Sequence, residues 1–427
     1  MATTTFTLHF FYLFFILFAS ISSSNAEHSF KPHAFYLSII KDKATLQYHS
    51  LIDMGNPIVT NPYNNSFVLV IDLGGRFPWF DCSGYDSTTY RPVPCGSKRC
   101  KIAKGPDCIN CNRPLKPGCT NNTCGVEPNN PIQQFVVSGD LSEDVIRLDD
   151  IDSTRKLTAL DMPRFQIACV DPNKFGVTGL LDGLVNGSRG VLGLGRTPIS
   201  FPAQLASTFR LPNKTLPECS SGFIQMACHH LTFINPHSTG PIFDDTPSQE
   251  YFIDVKSIKI DGEVVNLNTS LLAIDKNGNG GTRLSTTSPY TIMQTSIYKA
   301  FVDEFVKKAT AKKIRRVRSE GQFAACFDSR TISNTTTGPA TPNIDLVFEN
   351  ENVYWRIYGA NSLVKVKENV LCLAFVDGGS EARTIETSII LGGHQLEDNF
   401  LEFDLASSKL GFTSSLLRHN RSCSIFL

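Results

Sequence analysis

The chain has 427 residues, 41% of them hydrophobic and 19% charged, with 40 basic side chains balanced by 40 acidic ones. That apolar content excludes a disordered chain, and a net charge near zero removes the electrostatic basis for a nucleic-acid or polyanion partner. The length allows two to three domains or one bilobal fold. Thirteen cysteines are too few for a miniature disulfide knot and many for a cytosolic protein.

Residues Phe10 to Ala19 form an unbroken apolar run. It is too short to span a bilayer of roughly 30 Å but suited to the core of a signal peptide. The small residues ending Ser24-Asn25-Ala26 predict cleavage before Glu27, making 1–26 the leader. No later run is long enough for a membrane helix, so neither a membrane partner nor an anchor is expected. Sequons at Asn64, Asn121, Asn186, Asn213, Asn268, Asn334 and Asn420 fit passage through an oxidising, glycosylating compartment. The expectation is a secreted, soluble glycoprotein.

Beyond the leader, short β-rich runs alternate with turn clusters. Phe67–Ile71, Gln133–Val137, Val145–Leu148, Phe165–Cys169, Tyr251–Ile260 and Ser388–Leu391 read as strands bounded by Gly, Pro, Asn and Asp. A helix is predicted over Tyr298–Lys308, where Tyr298, Phe301, Val302, Phe305 and Val306 share one stripe, with Thr295 or Ser296 as N-cap. A second, short helix follows Pro202. The fold class is therefore mainly β with minor helices.

Cys95, Cys100, Cys108, Cys111, Cys119 and Cys124 crowd one segment of Gly, Pro and Asn with few apolar residues, so cross-links rather than a core must hold it. Zinc is the rival reading of Cys108-Ile-Asn-Cys111, disfavoured in a secreted chain without a nearby His. The palindromic spacing suggests nested bridges, although six cysteines allow 15 pairings. Cys82, Cys169, Cys219, Cys326, Cys372 and Cys423 complete the expected bridged set. The odd total leaves one thiol, assigned to Cys228.

Two segments carry the chemistry. In Val68-Leu-Val-Ile-Asp-Leu-Gly-Gly75 an apolar strand delivers Asp72 into a glycine turn, followed by Trp79-Phe-Asp-Cys82; some two hundred residues on comes Gly280-Gly-Thr-Arg-Leu-Ser-Thr-Thr-Ser-Pro-Tyr-Thr291. Each resembles one half of an aspartic protease site. Gly190-Val-Leu-Gly-Leu-Gly-Arg196 with Ser200 and Gln204-Leu205, and Ile389-Ile-Leu-Gly-Gly-His-Gln-Leu396 with Phe403-Asp-Leu405 and Leu410-Gly-Phe412, extend the likeness over nearly the whole mature chain. The resemblance implies a bilobal pepsin-like aspartic protease fold. It divides the chain into an N-terminal lobe at 27–205 with a Cys-rich insert at 95–124, and a C-terminal lobe at 206–427.

That chemistry requires two carboxylates sharing one proton and activating a water. Only Asp72 remains, because Ser285 stands at the second acid and Thr287 at the glycine after it. A serine hydroxyl is no general base without a base of its own. Alone, Asp72 is expected to lose the like-charge shift and sit ionised as a structural acceptor. Leu73 replaces the hydroxyl residue of the working turn, and Val137-Ser-Gly-Asp140 stands where active plant enzymes carry Tyr-Gly-Asp at the flap. No catalytic residue, metal or cofactor is expected; a weakly active peptidase is a remote alternative.

Among inactive relatives, Asp72-Leu-Gly-Gly75, Ser285-Thr-Thr-Ser-Pro-Tyr290, Cys119-Thr-Asn-Asn-Thr-Cys-Gly-Val126 and Leu391-Gly-Gly-His-Gln-Leu-Glu-Asp-Asn399 resemble the plant extracellular dermal glycoproteins. That group includes the xyloglucan-specific endoglucanase inhibitor proteins and is related to wheat-type xylanase inhibitors and basic seven-S globulins. The resemblance implies a monomeric apoplastic protein that blocks a microbial glycoside hydrolase, typically of family 12. A glycosidase cleft presents two carboxylates, which an Arg-bearing loop can reach with bidentate bonds. Family inhibitors use loops in two regions, here Ile314-Arg-Arg-Val-Arg318 and Glu381-Ala-Arg-Thr384, so Arg316 and Arg383 are the candidate contacts and Arg315 and Arg318 the fallbacks. A storage or other non-inhibitory globulin is the alternative, favoured by a segment between Cys219 and Tyr251 that is short for the family. Three decoys are set aside. Asp275-Lys-Asn-Gly-Asn-Gly280 lacks the glutamate that would close a calcium loop; His229-His230 would face opposite sides of a strand; Gly193-Leu-Gly195 lacks a nucleotide-binding context.

Overall fold

A computed structural model describes residues 34–56, 65–151, 156–172, 179–209, 229–232, 248–379 and 386–422. The expected leader, Asn64, Asn213, Cys219, Cys228, Arg383 and Cys423 lie outside the described residues. Among the described residues no helix is long and apolar enough to cross a membrane.

The two halves of the chain repeat one strand arrangement. In the first, Ser66–Asp72 runs parallel to Gly190–Gly193, which pairs antiparallel with Trp79–Asp81, itself parallel to the end of Leu157–Val170. In the second, Thr282–Leu284 runs parallel to Ile389–Leu391, which pairs antiparallel with Thr291–Met293, itself parallel to Phe375–Asp377. Each time the first strand of the set ends at the turn carrying Asp72 or Ser285. An added Cβ on Gly193 would sit 2.6 Å from the Phe77 carbonyl and 2.7 Å from that of Gly75, so only glycine lets this strand close over the first turn.

The N-terminal lobe is an eleven-stranded sheet with apolar clusters on both faces. Its longest members, Gly139–Ile151 and Leu157–Val170, pair antiparallel with a bulge opposite Val145. The C-terminal lobe packs smaller sheets around one large core that includes Trp355, Phe301, Phe305 and Phe412. The helix expected at Tyr298–Lys308 runs Thr295–Ala311 and buries Tyr298, Phe301, Val302 and Phe305. Its cap is Gln294 rather than Thr295 or Ser296, because the Gln294 side-chain oxygen accepts from the amides of Ser296 and Ile297. The helix after Pro202 spans Phe201–Thr208.

The single strand expected at Tyr251–Ile260 does not form. Tyr251–Ile260 is two strands in different sheets, Phe252–Ile253 beside Thr282–Leu284 and Ser257–Ile260 beside Ile344–Val347. The chain folds back at Val255, whose N–H donates to the Ile253 carbonyl, and alternation alone cannot reveal such a break.

The bridges Cys82–Cys169, Cys95–Cys108, Cys100–Cys124, Cys111–Cys119 and Cys326–Cys372 form. The insert is interlaced rather than nested, since Cys95–Cys108 crosses Cys100–Cys124. Helix Lys98–Ala103 and hairpin Asp107–Ile109/Thr123–Val126 bring the crossed pairs together, which palindromic spacing could not foretell. Asn121, Asn186, Asn268, Asn334 and Asn420 are all exposed.

The lobes are fastened by Glu397, next to the short helix Gly393–Leu396. Its carboxylate accepts from Lys41 Nζ at 2.5 Å and from the Tyr48 hydroxyl, both on N-terminal strands, and faces His394 Nδ1 at 3.6 Å. An added Cβ on Gly393 would fall 2.4 Å from Tyr48 Cε2, so the second glycine of Leu391-Gly-Gly-His394 makes room for the ring from the other lobe. Burial opposes ionisation of Glu397, but the hydrogen bonds from His394, Lys41 and Tyr48 win and hold its carboxyl at about 2. A depressed carboxylate stabilises the fold above its unfolded pKa, and this stabilisation is lost as pH falls from about 4.5 through about 2. Glu397→Gln should therefore cost on the order of 2 kcal/mol at neutral pH, with the difference fading in acid. Urea titrations across that range check it.

Candidate functional site: a degenerate catalytic cleft

The two turns meet at the cleft floor. Asp72 Oδ1 accepts from the Gly74 amide at 2.9 Å, the local geometry of a carboxylate capping its own turn. Ser285, 3% exposed, does the same with its hydroxyl, accepting from the amides of Thr287 at 3.3 Å and Ser288 at 3.2 Å and pairing with Thr287 Oγ1 at 3.1 Å. The hydroxyl is thus engaged in the turn. It supplies neither the negative charge nor the shared proton of a dyad.

The turns are locked to each other by one hydroxyl. Thr286 Oγ1 accepts from Leu73 N–H at 3.2 Å and donates to the Ile71 carbonyl at 2.7 Å. The reciprocal bond is absent because Leu73 has no hydroxyl. Its side chain instead buries itself in the apolar cluster of the C-terminal lobe, which favours closure by about 1.5–3 kcal/mol for a buried leucine.

Sequence reasoning missed Glu250 and Arg283. Glu250 lies just before the strand Phe252–Ile253, and its carboxylate pairs with the Arg283 guanidinium. An ideal Cβ on Gly74 would lie 3.1 Å from Glu250 Oε1 and 3.5 Å from Asp72 Oδ1, so two carboxylates look onto one glycine. A signal existed: Arg283, inside the apolar strand leading to Ser285, needs an acid to accompany it.

The expectation that Asp72 loses its like-charge shift is therefore corrected. Burial, with a smaller push from Glu250, raises the Asp72 carboxyl to about 6 against the opposing Gly74 hydrogen bond and Arg283 charge. Glu250 does not rebuild the dyad, since it comes from outside the second turn and its charge is spent on Arg283.

At the position expected for the flap, Val137 is buried and Asp140 accepts from the Thr120 amide and hydroxyl. The preceding hairpin, Asn129–Asn130 with Phe135–Val136, is tied to the N-terminal lobe. Buried Asn130 donates to the carbonyls of Leu180 and Asp182, and Trp79 Nε1 donates to the Asn129 carbonyl.

Arg316 is exposed on the strand Arg316–Val317, with Nη2 donating to the Ala324 carbonyl at 3.2 Å. Arg315 is consumed internally, sharing the buried Asp328 carboxylate with Arg330. Arg318 is exposed. Among the described residues no cluster of His, Cys, Asp or Glu could hold a metal. The Asp275 turn is filled by its own amides, Asn277 and Asn279.

This is a pepsin-like fold, with Ser285 in the turn that answers the Asp72 turn in the repeated strand arrangement. Xylanase-inhibitor family models match residues 48–216 (N-terminal) and 250–414 (C-terminal), and the chain belongs to that family of inhibitors and globulins. It is 45% identical to the "Probable aspartic proteinase GIP2" of Nicotiana benthamiana, covering 98% of this chain and 97% of that one. It is 36% identical to gamma conglutin 1 of Prunus dulcis, covering 98% and 96%. Among solved structures, that of edgp superposes with a TM-score of 0.85 at 40% identity over 94% of this chain and 99% of that one.

An acid whose pKa is raised on folding destabilises the folded state when ionised. The cost is absent below the unfolded value of 3.8, grows as pH rises to about 6 and is full above it. Asp72→Asn keeps an oxygen for Gly74 and should stabilise the protein by up to about 3 kcal/mol above neutrality and by little near pH 4. Denaturant titration at the two pH values checks this.

Proposed function

We propose that the protein is a secreted inhibitor that binds and blocks a microbial cell-wall-degrading endoglucanase, xyloglucan-specific and of glycoside hydrolase family 12. It acts as a monomer in the apoplast and has no peptidase activity of its own. The observation carrying this reading is the second turn: the bilobal scaffold is kept, yet Ser285 caps its own loop where an acid would be needed. A two-lobed cleft without a second acid is suited to recognition rather than to hydrolysis.

Arg316 suits that role. Its bond to the Ala324 carbonyl uses one of five guanidinium donors and pre-orders the side chain, leaving others for a carboxylate. Arg383, within the segment 380–385 of the sequence, is proposed as the second contact. Arg315 is a poor substitute because removing it from Asp328 would leave a buried carboxylate with less compensation.

Mixing the purified protein with a family 12 xyloglucanase should suppress release of reducing ends and give a complex on gel filtration. Arg316→Ala and Arg383→Ala should each weaken inhibition at least ~tenfold, as expected for central Arg contacts. Undiminished hydrolysis with several such enzymes, and no complex, would overturn the proposal. The second reading, a non-inhibitory globulin, is favoured by the full-length likeness to gamma conglutin. It gains support if Arg383→Glu leaves hydrolase binding untouched.

A further inference from the structure

On the N-terminal lobe, a cavity of about 670 Å³ opens between the Cys-rich insert and the bulge of the two long strands. Its lining carries four cations, Arg91, Lys98, Arg99 and Arg164, and two acids, Glu143 and Asp144. The acids do not balance the cations. Asp144 is 3% exposed and is taken up by the hydroxyls of Tyr85, Ser87 and Thr89 and its neighbouring Val145 amide. Glu143, 7% exposed, is shared between the Arg99 guanidinium and Arg164 Nε at 3.6 Å. One carboxylate thus gathers two guanidiniums, and Arg91 and Lys98 add further positive charge at the rim.

The backbone pays for this arrangement. Arg164 adopts φ +61°, a left-handed conformation that few non-glycine residues take, at the bulge where Pro163 and Arg164 stand opposite Val145. The side chain it presents is 74% exposed, so packing does not explain the choice of arginine. Burial, more than the neighbouring Arg164 charge, lowers Arg99 from its ordinary value. Pro92, Pro94, Pro163 and Val93 supply apolar walls, and the volume falls in the range of small-ligand sites.

We propose that this cavity binds a small organic oxyanion, a carboxylate- or phosphate-bearing molecule held between Arg99 and Arg164 with its carbon skeleton against the prolines. An oxyanion there receives charge-assisted bonds from both guanidiniums and relieves their repulsion.

The test is calorimetry on the full chain with glucuronate, citrate and inorganic phosphate, with cellobiose as a neutral control, at low and high salt. At least one anion should bind, more weakly in high salt, and which one binds identifies the acid group. Arg164→Gly should weaken binding at least ~tenfold while holding or raising the thermal midpoint, since glycine is at ease at positive φ. Arg99→Gln should weaken binding likewise. The proposal is overturned if no anion binds at low salt, if cellobiose binds equally well, or if both variants bind like the parent.

Discussion

One hydroxyl ties the two turns of the cleft floor to each other. Thr286 Oγ1 reaches from the C-terminal lobe to the Leu73 amide and the Ile71 carbonyl, and so fixes how the Asp72 and Ser285 turns face each other. In a symmetric site the other turn would return the gesture. Here Leu73 contributes apolar contact instead, and its burial among C-terminal-lobe residues replaces a directional bond with a non-directional one. Two lobes can stay closed on that exchange, because closure needs free energy, whereas catalysis needs placement to a fraction of an ångström.

The rest of the cleft follows from the same release of constraint. With no shared proton to organise, the second turn can end in a serine that satisfies its own amides. Glu250 and Arg283 occupy the space beside Gly74 as an ion pair. Asp72 remains a turn cap with an acid function displaced upward by burial. Away from the cleft, the Glu397 contacts and the Tyr251 hydroxyl bond to the Leu194 carbonyl keep the lobes registered. The two lobes are therefore joined both at the cleft floor and away from it.

Much of this was legible because local patterns carried it. The apolar run into Asp72 and its counterpart into Ser285 mark the two turns, and the stripe on the long helix marks its buried face. What was hidden is long-range. Glu397 meets Lys41 across 356 residues, and no spacing rule reports such a contact. The break at Val255 depends on which sheet each half joins, and the interlaced bridges depend on how a short helix and hairpin pack. Arg283 could have announced Glu250, since a charge in an apolar strand needs a partner, but sequence could not say which acid answers it.

Near Asp72 the carboxylate of Glu250 is paired with Arg283 rather than with Asp72. The direct measurement is cleavage of a denatured protein substrate by the purified chain between about pH 3 and pH 6, where a carboxyl dyad would share its proton. No cleavage above a buffer blank is expected, for the parent and for Asp72→Asn alike. Cleavage by the parent that disappears in Asp72→Asn, and again in Glu250→Gln, would show that Glu250 had taken the missing place.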